Sequence, residues 1–165
     1  MRSEIVRLPT DAVHLIAAGE VIDSVAAVVR ELVENALDAG ATRIAIALWP
    51  DQGRVRVTDN GRGMPQADLA QAAIAHSTSK IRQASDLWHI TTLGFRGEAL
   101  HSLAQLSTLH IASRPQPSAI APPDDATTTD RDADTTMGWA VTYEHTGAPH
   151  PLEPVAIAPG TIVTV

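Results

Sequence analysis

Residues 24–40, with the sequence SVAAVVRELVENALDAG, carry the pattern that decides the fold. Their apolar side chains recur at intervals of three and four residues, which is typical of an amphipathic helix with one face in a core. Ser24 suits the cap of such a helix, and Gly40 suits the left-handed position that follows its end. The sequence therefore predicts one long helix whose apolar stripe contains Val25, Val28, Val29, Leu32, Val33, Ala36 and Leu37.

A second, polar stripe runs along the same predicted helix. Glu31, Asn35 and Asp38 are spaced i, i+4 and i+7, so their side chains share one face and offer oxygen ligands. A carboxylate such as Glu31 can act as a general base toward water, and the amide oxygen of Asn35 suits Mg²⁺, which takes few protein ligands. The stripe by itself is better explained as an ordinary solvated helix face.

Length and composition favour one soluble intracellular domain. The 165 residues are enough for a substantial core, and because 44% are hydrophobic but only 3% aromatic, that core must be built from Ala, Val, Leu and Ile. The absence of cysteine excludes disulfides and thiolate zinc sites. No apolar run reaches the roughly 18 residues of a membrane span, and the first residues lack the apolar core of a signal peptide.

The net charge of −7 is unevenly distributed. Residues 115–134 contain five aspartates, one arginine and four of the eleven prolines, which predicts a mobile acidic insertion between strands. The remainder is mildly acidic and has no basic footprint for nucleic acid. This part of the chain is therefore not expected to supply the main contact with DNA.

The remaining periodicities predict an α+β fold. Alternating apolar residues in 41–50 and 54–59 predict two strands that pair as a hairpin across the turn Asp51–Gly53. The order of elements favours a two-layer sandwich of helices on a mixed, mostly antiparallel sheet. Further strands are predicted at 108–113, 139–144 and 161–165, a first arm at 1–10, and shorter helices at 12–18, 66–76, 84–90 and 98–106.

Three other segments carry residue types suited to nucleotide binding. Asp59 ends a strand and precedes the loop Asn60–Gly63. Its carboxylate can accept a hydrogen bond from an exocyclic amine, and the glycines leave room for a flat ring. An ordinary turn at the exit of a hairpin explains the same residues equally well. The glycine-rich turn Gly94–Leu100 opens a helix, an arrangement that binds phosphate. The hydroxyls and cation of Thr78–Lys80 could also contact phosphates, but each of these two segments alone is weak evidence.

Taken together, these motifs resemble the N-terminal ATPase region of the MutL DNA mismatch-repair family. That family belongs to a wider group of ATPases with gyrase B, the Hsp90 chaperones and the histidine kinases. The match covers residues 5–114 in register, and residues 159–165 resemble the strand that follows in the family. The segment GFRGEAL best separates this family from the rest of the wider group, whose members have a different sequence at that turn. The matching segments are IAAGEV (16–21), ELVENALDAGAT (31–42), DNGRG (59–63), TSKI (78–81) and GFRGEAL (94–100).

The resemblance implies a Bergerat-type ATP-binding fold with a defined site. Glu31 would be the catalytic general base, Asn35 would hold Mg²⁺, and Asp59 would accept from the adenine amine beside Thr161. Residues 78–80 would lie on a lid, and 94–100 would wrap the phosphates. The implied ATP-binding residues are Asn35, Asp38, Asp59, Gly63, Met64, Thr78, Ser79, Lys80, Gly94, Phe95, Arg96, Gly97, Glu98, Ala99, Leu100 and Thr161.

The implied function is an ATP-binding and ATP-hydrolysing switch, dependent on Mg²⁺, that couples mismatch recognition to downstream repair. Its implied partners are a mismatch-recognition protein, downstream repair factors, DNA through a larger assembly, and a second copy in an ATP-dependent homodimer. The implied location is the bacterial cytoplasm in association with the nucleoid, and no membrane is implied as a partner. The alternatives are a non-catalytic interaction module with a nucleotide fold, and the ATPase domain of another member of the wider group.

Two departures from the family pattern bear on these expectations. Family members usually have a proline near Val25, so Ser24 has to cap the long helix here. The family also continues into a second subdomain that brings a lysine to the γ-phosphate, whereas this sequence stops at Val165. We therefore expect residues 1–165 to be the ATP-binding part of a longer protein, with weak or incomplete turnover by itself, because one clamp on the developing phosphate charge is missing.

Overall fold

A six-stranded antiparallel sheet organises the computed structural model, which describes residues 22–74, 99–117, 137–144 and 148–165. The strands lie in the order β1-β2-β6-β3-β4-β5, and every described pairing is antiparallel. The predicted sandwich of helices on a sheet is confirmed. The elements are α1 (Val25–Asp38), β1 (Ile44–Trp49), β2 (Arg54–Asp59), α2 (Gln66–Leu69), α3 (Ala99–Leu106), β3 (Leu109–Arg114), β4 (Gly138–Tyr143), β5 (Glu153–Val155) and β6 (Gly160–Thr164).

Both predicted ends of the long helix are confirmed. The Ser24 side chain accepts a hydrogen bond of 3.1 Å from the backbone N–H of Ala27, which satisfies one of the unpaired donors of the first turn. At the other end, Gly40 has a φ of 76° and donates its N–H to the carbonyl of Leu37 at 2.9 Å. The helix therefore stops where a left-handed residue can turn the chain toward β1.

The buried stripe of α1 is narrower than the predicted one. Val28, Leu32 and Ala36 are buried, but Val25 is 56% exposed and Leu37 is 48% exposed. The helix lies mainly over β2 and contacts the edge strand β1 less extensively. The outer residues of the stripe therefore extend past the part of the sheet that α1 covers.

The predicted hairpin of β1 and β2 is confirmed, with Trp49 opposite Arg54 and Ile44 opposite Asp59. A short 3₁₀ turn, Pro50–Gln52, precedes Gly53, whose φ of 58° is a left-handed value. The guanidinium of Arg54 lies 4.2 Å from the centre of the Trp49 ring. This contact joins the two strands at the end far from Asp59.

Alternate residues of the central strands face the helices and form the core. Tyr143 in β4 is fully buried, and its hydroxyl donates to the carbonyl of Leu69 at 2.7 Å, which holds α2 against the sheet. Because side chains along a strand point alternately to its two sides, every second residue of these strands lies on the face that the helices cover. The most deeply buried apolar residues are Ala36, Val57, Leu69, Ala73, Leu103, Ala104, Leu109, Ile111, Val141 and Tyr143.

The structure differs from the predicted elements in two places. The helix predicted at 66–76 is only Gln66–Leu69, followed by turns through Ala73, and the short strand β5 at the sheet edge was not predicted. The predicted arm at 1–10, the helices at 12–18 and 84–90, and residues 118–134 of the predicted insertion lie outside the described residues. Among the described helices, none has the length and apolar character needed to cross a membrane.

Candidate functional site

Three polar side chains form a row across the centre of the sheet. Asp59 in β2 pairs with Thr161 in β6, and Thr161 pairs with Ser113 in β3. Directly paired residues project from the same face, and this is the face on which Val57 and Ile111 are buried beneath the helices. Thr161 is 9% exposed and Ser113 is 0% exposed, while Asp59 is half-buried. A row of polar side chains on an otherwise apolar face of the sheet is the first indication of a binding site.

Burial raises the pKa of the Asp59 carboxyl above its usual value, and hydrogen bonds from the backbone N–H groups of Gly61 and Thr161 offset part of that rise. The bond from Gly61 to Oδ1 is 2.7 Å long. A carboxylate has acceptor positions for about four hydrogen bonds. Asp59 therefore retains capacity to accept a bond from an amino group of a ligand.

The loop after Asp59 is joined to the end of α1. The Asn60 side-chain oxygen accepts a bond from the N–H of Arg43 at 2.7 Å. Arg62 donates its backbone N–H to the carbonyl of Ala39 at 2.9 Å and its guanidinium to the carbonyl of Asp38 at 2.8 Å. These bonds place the polar row of the sheet beside the last turn of the helix that carries the polar stripe.

The two loop glycines have a structural reason that differs from the predicted one. A β-carbon on Gly61 would lie 2.8 Å from the β-carbon of Ala39, and one on Gly63 would overlap the carbonyl oxygen of Arg114. Gly63 also has a φ of 69°, a left-handed value that favours glycine. Atoms of Ala39 and Arg114 occupy the places that the two β-carbons would take, so close packing by itself requires glycine at both positions.

The beginning of the predicted insertion also belongs to this region. Gln116 donates its backbone N–H to the carbonyl of Arg62 at 2.9 Å, and its side-chain amide lies 3.2 Å from the carbonyl oxygens of both Asn60 and Gly61. Residues 115–117 are therefore held against the Asp59 loop. The insertion was predicted to begin at 115, whereas its first three residues are anchored here.

The polar stripe of α1 is turned partly toward the protein. The Glu31 side chain is only 19% exposed, and Ala27, one turn earlier on the same face, is buried. Asn35 and Asp38 are half-buried, and both have polar contacts. Because an α-helix rises 1.5 Å per residue, the stripe runs for about 10 Å from Asp38 at the Asp59 end to Glu31. A solvated helix face would not have this burial.

An ion pair that the sequence analysis did not anticipate involves Glu31. The Arg30 guanidinium lies 3.4 Å from the Glu31 carboxylate and 3.9 Å from that of Glu34. Arg30 itself is 63% exposed, and ion pairs at the surface contribute little because water screens them. The pair therefore contributes little to the stability of the fold.

The oxygen donors of the stripe fit Mg²⁺ bound together with a phosphate ligand. In the described parts of the chain, no three or more His, Cys, Asp or Glu side chains gather as a metal site would require. Mg²⁺ commonly keeps several waters and uses one or two protein oxygens together with substrate phosphates. The amide oxygen of Asn35 is a ligand of that kind.

Only part of the predicted site can be located. Ala99 and Leu100 form the first turn of α3 and are half-buried, and Leu100 packs against the core. The row, the stripe and the Asp59 loop contain the other described members of the predicted site, namely Glu31, Asn35, Asp38, Asp59, Gly63, Met64 and Thr161. The predicted residues Thr78, Ser79, Lys80, Gly94, Phe95, Arg96, Gly97 and Glu98 lie outside the described residues.

Ser113 is the residue of the row that the sequence analysis missed. The sequence did contain a signal for it. Leu109, Ile111 and Ser113 are alternate residues of one strand and so lie on the same face, where Ser113 is polar and the other two are apolar. Buried polar groups need hydrogen-bond partners. A serine that continues an apolar alternation therefore marks a place where the core contains a polar contact.

Comparisons with known proteins agree with this geometry. A family model described as histidine kinase-, DNA gyrase B- and HSP90-like ATPase matches residues 23–138. The chain is 59% identical, over all of its 165 residues, to the DNA mismatch repair protein MutL of Rippkaea orientalis, and 57% identical over the same length to that of Nostoc punctiforme. It spans 26% of the length of each of these curated relatives.

Solved structures show the same fold. The N-terminal domain of a DNA repair protein matches 92% of this chain with a TM-score of 0.66 and 27% identity, and the match covers 38% of that domain. The MutL ATPase domain of Aquifex aeolicus complexed with ADP matches 88% of this chain with a TM-score of 0.54 and 26% identity, covering 42% of that domain. The chain belongs to the histidine kinase-, DNA gyrase B- and HSP90-like ATPase family, and its resemblance within that family is to the ATPase region of the MutL mismatch-repair proteins.

Proposed function

We propose that this chain binds ATP with Mg²⁺ between the polar row of the sheet and the polar stripe of α1, and that it hydrolyses the nucleotide. The observation that carries the proposal is the half-buried Asp59 carboxylate, set beside Thr161 at the point where the sheet meets the end of α1. The ADP complex of the Aquifex aeolicus MutL ATPase domain supports a nucleotide as the ligand.

The adenine would bind at the Asp59 end of the site. The Asp59 carboxylate accepts hydrogen bonds and is partly desolvated, which suits the exocyclic amine of the base. Gly63 and Met64 would line the base pocket, and Thr161 lies next to Asp59 in the adjacent strand. Recognition of an amine by a desolvated acceptor discriminates strongly, because a ligand without the amine leaves the carboxylate unpaired.

The phosphates would extend along the helix toward Glu31. The stripe from Asp38 to Glu31 is about 10 Å long, which is of the order of a triphosphate with its bound cation. Asn35 would hold Mg²⁺, whose charge neutralises the phosphate oxygens. The remaining contacts would come from the lid residues Thr78, Ser79 and Lys80 and from the turn Gly94, Phe95, Arg96, Gly97, Glu98, Ala99 and Leu100.

Glu31 would act as the general base. Its carboxylate would take a proton from a water as the water oxygen bonds to the γ-phosphorus and the bond to the β,γ-bridging oxygen breaks. The Glu31 carboxylate lies 3.4 Å from Arg30 and is 19% exposed. The helix places this base two turns before Asp38, whose carbonyl is bonded to Arg62 of the Asp59 loop.

In a protein as long as its MutL relatives, this domain would serve as a nucleotide-controlled switch in DNA mismatch repair. ATP would favour a dimer of two such domains, hydrolysis would release it, and the nucleotide state would be communicated from a mismatch-recognition protein to downstream repair factors. DNA contact would belong to the larger assembly, since these 165 residues carry a net charge of −7. The MutL relatives support this assignment.

A non-catalytic nucleotide-binding module is the second candidate. The specific observation in its favour is the Arg30–Glu31 ion pair, which gives the Glu31 carboxylate a contact within the protein that requires no attacking water. Binding and hydrolysis separate the two candidates. The ATPase domain of another member of the wider group is less favoured, since the relatives that match the whole chain are MutL proteins.

Calorimetric titration with a non-hydrolysable ATP analogue, with and without Mg²⁺, tests the binding site. We expect affinity that depends on Mg²⁺, and Asn35→Ala should remove most of that dependence because Asn35 would hold the cation. Absence of binding by the wild-type chain and by a longer chain that includes the following subdomain would refute the proposed ligand. An unchanged Mg²⁺ dependence in Asn35→Ala would remove that residue from the cation site.

Hydrolysis is tested with Glu31→Gln and with Glu34→Gln as the matched control. Both carboxylates contact Arg30, but only Glu31 belongs to the polar stripe. We expect Glu31→Gln to lower the rate by about a hundredfold or more while leaving analogue affinity nearly unchanged, and Glu34→Gln to keep most of the rate. Equal hydrolysis rates in wild type and Glu31→Gln would refute the role of Glu31 as general base. Binding of the analogue without any hydrolysis of ATP, by the wild type and by a longer chain that includes the following subdomain, would favour the non-catalytic module.

A further inference from the structure

The Ser113 hydroxyl lies at the centre of the described part of the candidate site and is completely inaccessible to solvent. Its Oγ accepts a hydrogen bond from the backbone N–H of Met64 at 2.8 Å. The same atom lies 3.0 Å from the carbonyl oxygen of Gly160 and 2.9 Å from the Oγ1 of Thr161. One buried hydroxyl thus joins the loop that follows Asp59 to the start of β6.

The protons of this cluster can be assigned by counting donors and acceptors. A serine hydroxyl has one proton to donate and two lone pairs that accept. The carbonyl of Gly160 can only accept, so the Ser113 proton is directed to it, and one lone pair of Ser113 is occupied by the N–H of Met64. The other lone pair is then satisfied only if Thr161 donates its own hydroxyl proton to Ser113.

This arrangement leaves Thr161 without a proton to offer elsewhere. Its Oγ1 retains lone pairs alone, so toward any ligand beside Asp59 it acts as an acceptor. Asp59, in the neighbouring strand, is an acceptor as well. A group at position 6 of a purine that faces both residues therefore meets acceptors only. This favours an amino group, which has two protons to donate, and disfavours a keto oxygen at that position.

We propose that Ser113 is a positioning residue that holds the Thr161 hydroxyl as an acceptor and thereby selects a 6-amino purine over a 6-keto purine. The inference rests on the proposed nucleotide site and adds a residue that would not touch the ligand. Without the Ser113 hydroxyl, Thr161 can rotate and donate its proton. A keto oxygen then gains a partner, and discrimination between the two bases weakens.

The experiment measures displacement of a fluorescently labelled adenosine diphosphate by adenosine diphosphate and by inosine diphosphate. These two competitors differ in the group at position 6 of the base and in the proton on N1, which only the 6-keto base carries. Purine riboside diphosphate, which lacks both the group and the proton, isolates the effect of the amino group. We expect the wild type to prefer the adenine nucleotide, and Ser113→Ala to reduce that preference by about threefold to tenfold, the effect of one hydrogen bond. Ser107→Ala is the matched control, because it removes a hydroxyl that donates to the carbonyl of Leu103 at 2.8 Å, outside the polar row.

A double-variant cycle distinguishes positioning from general support of the structure. In a Thr161→Val background there is no hydroxyl to orient, so adding Ser113→Ala should leave the base preference unchanged. Ser113→Cys, which keeps a side chain of similar shape with a weaker donor and acceptor, should lie between wild type and Ser113→Ala. It provides the readout if Ser113→Ala does not fold.

Five results would count against these assignments. Equal weakening of both nucleotides by Ser113→Ala, or a lower melting temperature with the base preference intact, would make Ser113 merely structural. The same change of preference in the Thr161→Val background would show that Ser113 does not act through Thr161. A wild type that binds both nucleotides equally would refute the inference alone, whereas a wild type that binds neither would refute the proposed function.

Discussion

Gly160 lies against the backbone of Asp59 so closely that a β-carbon on Gly160 would overlap the Asp59 carbonyl oxygen. Its φ of 132° is also a backbone angle that residues with a side chain rarely adopt. The start of β6 therefore approaches the end of β2 more closely than any other residue type would permit. That approach sets Thr161 beside Asp59 and Ser113, where the polar row forms.

Replacement of Gly160 should consequently disturb both the fold and the site. We expect Gly160→Ala to lower the free energy of unfolding by about 3 kcal/mol, since overpacking and backbone strain act together. Gly53→Ala is the control: Gly53 also has a positive φ, of 58°, but no atom lies within 4 Å of the place that a β-carbon would take, so a loss of about 1 kcal/mol is expected. Urea denaturation measures both, and equal losses would contradict the packing argument.

The raised pKa of Asp59 predicts a dependence of stability on pH. Between the ordinary value of 3.8 and the raised value, the folded chain retains a proton that the unfolded chain has released. The contribution of this carboxyl to stability therefore falls as the pH increases through that interval, and the cost remains at neutral pH. Asp59→Asn should remove this dependence, make the ligand-free chain more stable at neutral pH and weaken adenine-nucleotide binding.

Urea denaturation from acidic to neutral pH checks the Asp59 prediction. Asp51→Asn is the control, because it removes one carboxylate from an exposed turn and makes the same change in net charge. We expect the advantage of Asp59→Asn over wild type to disappear at pH values below 3.8, where both states are protonated. A larger advantage in acid than at neutral pH would show that the sign of the effect is wrong.

The Tyr143 hydroxyl should stabilise the attachment of α2 to the sheet. It is buried and donates to the carbonyl of Leu69 at 2.7 Å. Tyr143→Phe keeps the ring in the core but leaves that carbonyl without this partner, so we expect a loss of about 1–3 kcal/mol. The change in the midpoint of chemical denaturation at constant slope measures the loss, and an unchanged midpoint would show that the carbonyl finds another donor.

The cap at Ser24 should contribute to the stability of α1. Its side-chain oxygen accepts the N–H of Ala27 at 3.1 Å, and alanine cannot replace that acceptor. Ser24→Ala should lower the free energy of unfolding by about 1 kcal/mol, while Ser24→Asn should retain most of it, because asparagine is an equally good cap. Thermal unfolding of the two variants checks this, and equal losses would show that the cap is not the cause.

Local features of the fold could be predicted because their causes are local. The limits of α1 follow from a cap at Ser24 and a left-handed glycine at Gly40, and both are within one turn of the groups they satisfy. The hairpin follows from two alternating segments around Gly53. The length of α2 was predicted poorly, because its end depends on contacts with β4 that no local pattern records.

The sequence by itself determined the chemical components of this protein: a helix with Glu31, Asn35 and Asp38 on one face, and a carboxylate at Asp59 at the end of a strand. Only the tertiary structure decided which residues lie beside Asp59. Strand β6 enters the sheet between β2 and β3, which brings Thr161 next to Asp59 and Ser113 next to Thr161.

These neighbours are far apart along the chain, since Ser113 follows Asp59 by 54 residues and Thr161 follows it by 102. Contacts at such separations depend on strand order and register, which are decided when the apolar faces of the central strands β2, β6, β3 and β4 are buried together. No local pattern of residues contains that information. The residue types needed for a nucleotide site can therefore be read along the chain, but the polar row of Asp59, Thr161 and Ser113 exists only because the sheet assembles around β6.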